Sequence, residues 1–223
     1  MRAKLPFSAI LLISAASLSC GENGDDTCMN CPPVTSVFQG VIAGNDGLET
    51  GTISLTLDDE GSGTGGFNVG GTTVTFTSVA TSGTTMTASG GGYTFTGTLN
   101  GIFIDGNYTG GPAGGLMAAA EDNASTTLVQ FCAAHDAGGG IAGIFAFVLN
   151  TSTNAVRGAW TSGTGVGAAF KGIISGFTGD DQGVMSGHPG TVTILPDLQN
   201  GTVGGFYDLD SGEQGSMSGP VCS

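Results

Sequence analysis

Apolar and polar residues alternate over short segments through most of the chain, and turn-forming residues separate these segments. The clearest example is Tyr93–Gly115, in which the apolar positions from Tyr93 to Leu99 alternate with threonines. A period of two is typical of a half-buried β-strand. Asn100-Gly101 follows, and it favours a two-residue type I′ turn because both residues tolerate positive φ. This segment is therefore predicted to be a β-hairpin.

A second segment, Thr191–Gly215, carries a similar pattern. Aligned without a gap, Phe95 falls on Ile194 and Tyr108 falls on Tyr207. Self-similarity at a fixed distance is typical of a repeated architecture. The repeat predicts a chain built twice from one antiparallel meander.

The mature chain is predicted to be all-β. Short strands, tight turns and 43 glycines favour a Gly-rich antiparallel barrel or sandwich of about a dozen strands. Two similar halves, 35–121 and 122–223, follow an acidic tether at 20–34, although one continuous domain also fits. Glycines within the strands predict bulges, coiling or close backbone approach. The most apolar run, Ile141–Leu149, fits a strand buried on both faces, and its periodicity alone also allows a helical turn.

Residues 1–19 have the features of an export signal. Arg2 and Lys4 precede an apolar core that is too short to span a bilayer. Ser17-Leu18-Ser19-Cys20 then resembles the lipobox of bacterial lipoproteins. The resemblance implies that Cys20 is acylated and anchors the mature chain to the outer membrane or another envelope membrane. The alternative is an ordinary secretory signal, cleaved near residues 15–19.

The charge of the chain excludes one class of partner. The net charge is -14, and removal of Arg2 and Lys4 with the signal would change it to -16. Only Arg157 and Lys171 would remain as Lys or Arg side chains. So acidic a chain repels phosphate backbones and has no basic patch, so we expect no nucleic-acid partner. The acidity suits a soluble exported domain.

The cysteines predict disulfides. If Cys20 is acylated, an even number of cysteines remains in an oxidising compartment: Cys28, Cys31, Cys132 and Cys222. We favour a Cys132–Cys222 bridge because the first and last strands of the second half become neighbours if that half closes on itself. Cys28–Cys31 is the accompanying pair. No second CxxC or nearby His completes a zinc site around it, so we predict no metal.

The chain lacks recognisable catalytic chemistry. Neither His135 nor His188 belongs to a nucleophile or zinc motif, and both are predicted to lie in surface turns. We expect no cofactor and a non-enzymatic envelope lipoprotein with a structural or interaction role.

The alternative function is a barrel that binds a small apolar ligand in its mouth, in the general manner of lipocalins or avidin. The predicted lining residues are then aromatic: Tyr108, Phe145, Phe147 and Trp160.

Mass spectrometry of the mature N-terminus tests the anchor. We expect the chain to begin at Cys20 and to carry the added mass of acyl groups. An unmodified chain that begins at any other residue would rule the lipoprotein prediction out.

Overall fold

Every regular element in the described part of the chain is a β-strand. Seventeen strands form two antiparallel sheets, which confirms the all-β prediction and exceeds the dozen strands expected. Both sheets belong to one structural unit, Val34–Ser223. The computed structural model describes residues 35–123, 127–136, 142–162, 167–173, 182–184, 190–209 and 214–222. The predicted lipidation residue Cys20, the predicted disulfide pair Cys28–Cys31, and His188 lie outside these ranges, as does the whole predicted export signal.

Sheet 1 contains nine strands. They are β1 (Thr35–Gly44), β2 (Thr50–Asp58), β3 (Gly63–Val69), β4 (Thr72–Thr75), β5 (Ser78–Ser82), β6 (Thr85–Gly90), β7 (Tyr93–Asn100), β8 (Phe103–Thr109) and β9 (Gly115–Asp122). Each strand pairs with the next along the chain except β4 with β5, and β1 pairs with β9.

Sheet 1 curls until its two edges meet. The stretch from β4 to β5 bends at Phe76, whose amide donates to the Gly65 carbonyl at 2.9 Å. β5 then reaches the start of β3 through a bridge between Ser62 and Ala80. Because β4 and β5 act as one bent strand, eight positions surround the interior. A closed barrel of that size is just wide enough for side chains to fill.

Sheet 2 contains eight strands with an equivalent order. They are β10 (Leu128–Asp136), β11 (Ala142–Asn150), β12 (Ala155–Ser162), β13 (Gly167–Ile173), β14 (Gln182–Val184), β15 (Gly190–Asp197), β16 (Thr202–Leu209) and β17 (Gln214–Pro220). The first strand, β10, again lies between the second and the last, as β1 does in sheet 1. The two sheets are therefore similar meanders, as the sequence repeat predicted.

In each sheet a glycine lies opposite an equivalent tyrosine and leaves space for its ring. Tyr108 pairs with Gly115 in sheet 1, and Tyr207 pairs with Gly215 in sheet 2. A Cβ added to Gly115 would lie 2.7 Å from Cε1 of Tyr108, and one added to Gly215 would lie 2.6 Å from Oη of Tyr207. Only glycine leaves room for the ring beside the partner strand, which is the close approach expected from strand glycines.

The turn between β7 and β8 differs from its prediction by one residue. Asn100 pairs with Phe103, so the two central residues are Gly101 and Ile102 rather than Asn100 and Gly101. Of the two, only Gly101 has a positive φ, at 63°. Type I′ needs positive φ at both positions, whereas type II′ needs glycine only at the first. The hairpin was predicted correctly and the type I′ turn was wrong, because Asn100 remains in the strand.

Three apolar clusters form the core, one inside each sheet and one between the sheets. Strand β11 contributes to two of them, because alternate side chains point to opposite faces. Its inner set is Phe145, Phe147 and Leu149, and its outer set is Ile144, Ala146 and Val148. The prediction of a strand buried on both faces is therefore confirmed.

Polar contacts also join the two sheets. Arg157 of β12 forms an ion pair with Asp105 of β8, with 3.1 Å between Nη1 and Oδ2. Its guanidinium lies 3.9 Å from the ring centre of Phe103, a cation–π geometry. Nε2 of Gln130 donates to the Gly40 carbonyl at 2.8 Å. These contacts give Arg157 and Gln130 polar partners at an otherwise apolar interface, whereas Oδ1 of Asp105 is buried with no hydrogen-bond partner among the described residues.

A disulfide joins Cys132 and Cys222, as predicted, with their Cα atoms 5.0 Å apart. The expected pairing of the first and last strands of sheet 2 brings the cysteines together. They are diagonal neighbours rather than directly opposed residues, because Phe131 is the residue opposite Val221. Cys222 also packs against the cluster between the sheets. The bridge therefore fixes the chain end where both sheets meet.

Replacing both cysteines, Cys132→Ala with Cys222→Ala, should destabilise the protein without leaving a free thiol. The bridge spans a sequence separation of 90, for which the chain-entropy model gives about 4–5 kcal/mol as an upper value. Chemical denaturation followed by circular dichroism should show a lower midpoint. An unchanged free energy of unfolding would contradict this role.

Candidate functional site

The four predicted ligand-lining residues are core residues and do not converge on one pocket. Tyr108 lies inside sheet 1, whereas the other three lie inside sheet 2. Phe145 is opposite Trp160 on neighbouring strands, so these two pack together. The exposed fractions are 2% for Tyr108, 3% for Phe145, 0% for Phe147 and 4% for Trp160. Their surfaces are therefore taken up by packing.

The most developed surface feature lies at one end of sheet 1. We call it the tyrosine end, and it consists of the turns at 45–49, 70–71, 91–92 and 110–114 with the strand ends beside them. Asp46 organises the first turn, because its Oδ1 accepts from the amides of Leu48 at 2.9 Å and Glu49 at 3.0 Å. This turn directs the Glu49 side chain towards two tyrosines.

Glu49 accepts a hydrogen bond on each carboxylate oxygen. Tyr93 Oη donates to Oε1 at 2.8 Å, and Tyr108 Oη donates to Oε2 at 3.0 Å. The hydrogen bond to Glu49 is the main cause that raises the pKa of Tyr93. Burial is the main cause that raises the pKa of Tyr108, and the negative charge of Glu49 adds to it. Both phenols therefore stay protonated and act as donors at neutral pH.

An apolar groove of about 490 Å³ opens beside Glu49 at the tyrosine end. Val69, Val74 and Tyr93 are half-buried and pack against the core inside sheet 1, so they form its floor. Leu48 and Pro112 form its exposed rim. Leu48 is 79% exposed, the largest exposed fraction among the large apolar side chains that the structure describes.

Two further depressions flank sheet 1. A groove of about 600 Å³ lies on the other side of Pro112 and is lined mainly by the loop between β8 and β9. A smaller one, of about 190 Å³, lies at the opposite end and includes Asp58, Asp59 and Glu121. The smaller depression also has apolar residues at its base, Phe38, Leu57 and Leu99, but its lining includes no exposed apolar side chain comparable to Leu48.

Sheet 1 is strongly anionic. Residues 35–123 include no Lys, Arg or His, and the acidic residues among them are Asp46, Glu49, Asp58, Asp59, Glu60, Asp105, Glu121 and Asp122. Arg157, which neutralises Asp105, comes from sheet 2. Within the described ranges no cationic side chain forms an ion pair with Glu49. The groove beside Glu49 therefore faces solvent next to an uncompensated negative charge.

His135 is a buried residue and not the surface turn residue that we predicted. It is 2% exposed, because β10 continues to Asp136 and alternation turns His135 inward. Nε2 lies 3.0 Å from the Thr161 carbonyl, and Nδ1 lies 3.0 Å from Oη of Tyr207. Since a carbonyl can only accept, Nε2 donates to Thr161, and Nδ1 shares a hydrogen bond with the hydroxyl of Tyr207. His135 thus completes a buried hydrogen-bonded chain.

Sequence reasoning missed Glu49 and its groove. Tyr93 and Tyr108 stood within the predicted hairpin, but Glu49 is 44 and 59 residues away from them in an unremarkable polar turn. The exposed Leu48 next to two acidic residues was the only local signal, and it is a weak one.

Comparisons with known protein families and with curated sequences found no match. Within the ranges that the structure describes, no group of three His, Cys, Asp or Glu side chains is placed to hold a metal ion. The same residues include no helix long and apolar enough to cross a membrane.

Tyr108→Phe should lower the free energy of unfolding by about 2 kcal/mol at neutral pH, because it removes a buried hydrogen bond to a charged group. An unfolded tyrosine loses its proton near pH 10, whereas folded Tyr108 retains it. The contribution of Tyr108 is therefore fully present below about pH 10 and is lost as the pH rises further.

Denaturation at several pH values and ultraviolet titration of the phenols measure both effects. Tyr93→Phe is the matched control, and it should cost less because Tyr93 is more exposed. Ionisation of Tyr108 near pH 10 in the folded protein would contradict the assignment.

Proposed function

We propose that this chain is an exported, non-enzymatic protein of the bacterial cell envelope that acts by contacting another envelope component. A lipid on Cys20 would hold it at the outer membrane or another envelope membrane. The lipobox-like sequence and the acidic tether after it support this anchor.

One observation favours an interaction role at the surface over the binding of a ligand inside a barrel. Aromatic side chains of the described residues pack together inside both sheets, and Phe95, Phe131 and Phe147 are each 0% exposed. Neighbouring rings are in contact, such as Phe131 and Phe147 with centres 5.1 Å apart. A barrel that holds a ligand needs an interior left open by its side chains. Recognition by this protein would therefore use its surface.

The alternative, a small apolar ligand, keeps one supporting observation. The groove beside Glu49 lies at the mouth of sheet 1 and has an apolar floor. A ligand there would contact Tyr93 and Val74, and not the predicted residues inside sheet 2.

Trp160 provides a test of the filled interior, because it is the only tryptophan and is 4% exposed inside sheet 2. We expect blue-shifted emission that acrylamide quenches poorly and that does not change on titration with palmitate or retinol. A ligand that entered the interior would have to displace side chains packed with Trp160. A saturable change with one equivalent of either compound would replace the interaction role with a ligand-binding one.

A further inference from the structure

We propose that the groove beside Glu49 docks a segment of a partner protein in which an apolar side chain and the side chain of a Lys or Arg lie side by side on one face. The inference rests on the proposed interaction role and names the chemistry of the partner. Two properties of the groove carry it: an apolar floor with an exposed apolar rim, and an uncompensated carboxylate beside an aromatic ring.

The apolar part of the groove fits one aliphatic side chain of the partner. Val69 and Val74 already pack against the core inside sheet 1, so the floor is held in place before binding. Leu48 stands at the rim with 79% of its surface exposed, and its turn is fixed by hydrogen bonds to Asp46. Exposed apolar surface in a built depression is typical of an interaction site. Covering Leu48 would bury apolar area at little cost in ordering.

The polar part fits a cation. Two phenols donate to Glu49, one to each carboxylate oxygen, and each oxygen has acceptor capacity beyond one hydrogen bond. The half-exposed ring of Tyr93 lines the same groove. A carboxylate and an aromatic face together are the groups that bind an ammonium or guanidinium. Lys and Arg also bring an aliphatic stem that can lie along apolar surface.

Charge decides between the possible occupants. A second copy of this chain would bring the same anionic sheet to the groove, and the like charges would repel. A neutral apolar molecule would leave Glu49 unused and partly desolvated, which costs free energy. A basic segment instead meets a half that contains no Lys, Arg or His between residues 35 and 123. Charge complementarity would also steer and orient its approach.

Three labelled synthetic hexapeptides test this specificity by fluorescence anisotropy against the mature protein. They alternate Leu with Lys, Leu with Glu, or Ser with Lys. We expect the Leu–Lys peptide to bind at least about tenfold more tightly than either of the others, since each lacks one of the two contacts. Added salt should weaken its binding. Equal binding of the Leu–Lys and Ser–Lys peptides would reduce the effect to general charge attraction and overturn the proposal.

Matched variants at the two ends of sheet 1 locate the site. Leu48→Ser and Glu49→Gln should each weaken Leu–Lys binding about tenfold. Their controls at the opposite end are Ile102→Ser, which changes a side chain that is 51% exposed, and Asp59→Asn. These should bind like the unchanged protein. If the control variants lost as much affinity for the Leu–Lys peptide as the groove variants, the groove would not be the binding site.

Two further outcomes separate this inference from the proposed function. If a neutral Leu–Ser peptide bound as tightly as Leu–Lys, the cation site would be wrong and the groove would be an apolar-ligand site. If no peptide bound while Trp160 emission stayed insensitive to palmitate and retinol, the partner chemistry would be wrong and the interaction role would stand. Leu48→Ser leaves the hydrogen bonds of Glu49 intact. Its result therefore remains informative even if Glu49→Gln disturbs the fold.

Discussion

The pairing of the first strand with the last in each sheet is the contact on which the rest of the structure depends. β1 pairs with β9, and β10 pairs with β17, so each meander curls around its own side chains. These pairings join the strands that are most distant in sequence within each sheet. The conformational entropy lost in bringing them together is offset only by the apolar burial that closure creates. In sheet 2 the disulfide reinforces the same junction.

Closure leaves β1 and β9 with a second apolar face. Val41, Ala43 and Ala120 of sheet 1 meet Ala146 and other outer residues of sheet 2 in a cluster between the sheets. Small side chains let the strands approach closely, so two acidic, curled sheets can share one interface. At this interface Arg157 forms an ion pair with Asp105, whose carboxylate would otherwise have no cation beside it. Arg157, one of the few cationic residues, is therefore used inside the fold, and the outer surface stays anionic.

The equivalent tyrosines have diverged in their partners. Tyr108 donates to the Glu49 carboxylate at an open end, whereas Tyr207 is hydrogen-bonded to His135 in a buried chain. Both rings lie against a glycine of the last strand, so the backbone arrangement is shared. Only in sheet 1 does the polar partner belong to a surface turn. That difference places a negative charge beside an apolar groove in one half of the molecule.

Local patterns in the sequence determined the strand class, the repeat and the doubly buried β11, because alternation is visible in residue spacing. They favoured the Cys132–Cys222 pair, and the tertiary structure decided it among the three possible pairings. Tertiary structure alone decided the rest. The turn at Gly101 shifted by one residue because pairing register, and not turn preference, sets where a strand ends. His135 is buried because β10 continues one residue past it. Glu49 meets Tyr93 and Tyr108 only because curling brings distant turns to one end of the sheet, and no local pattern records a contact of that kind.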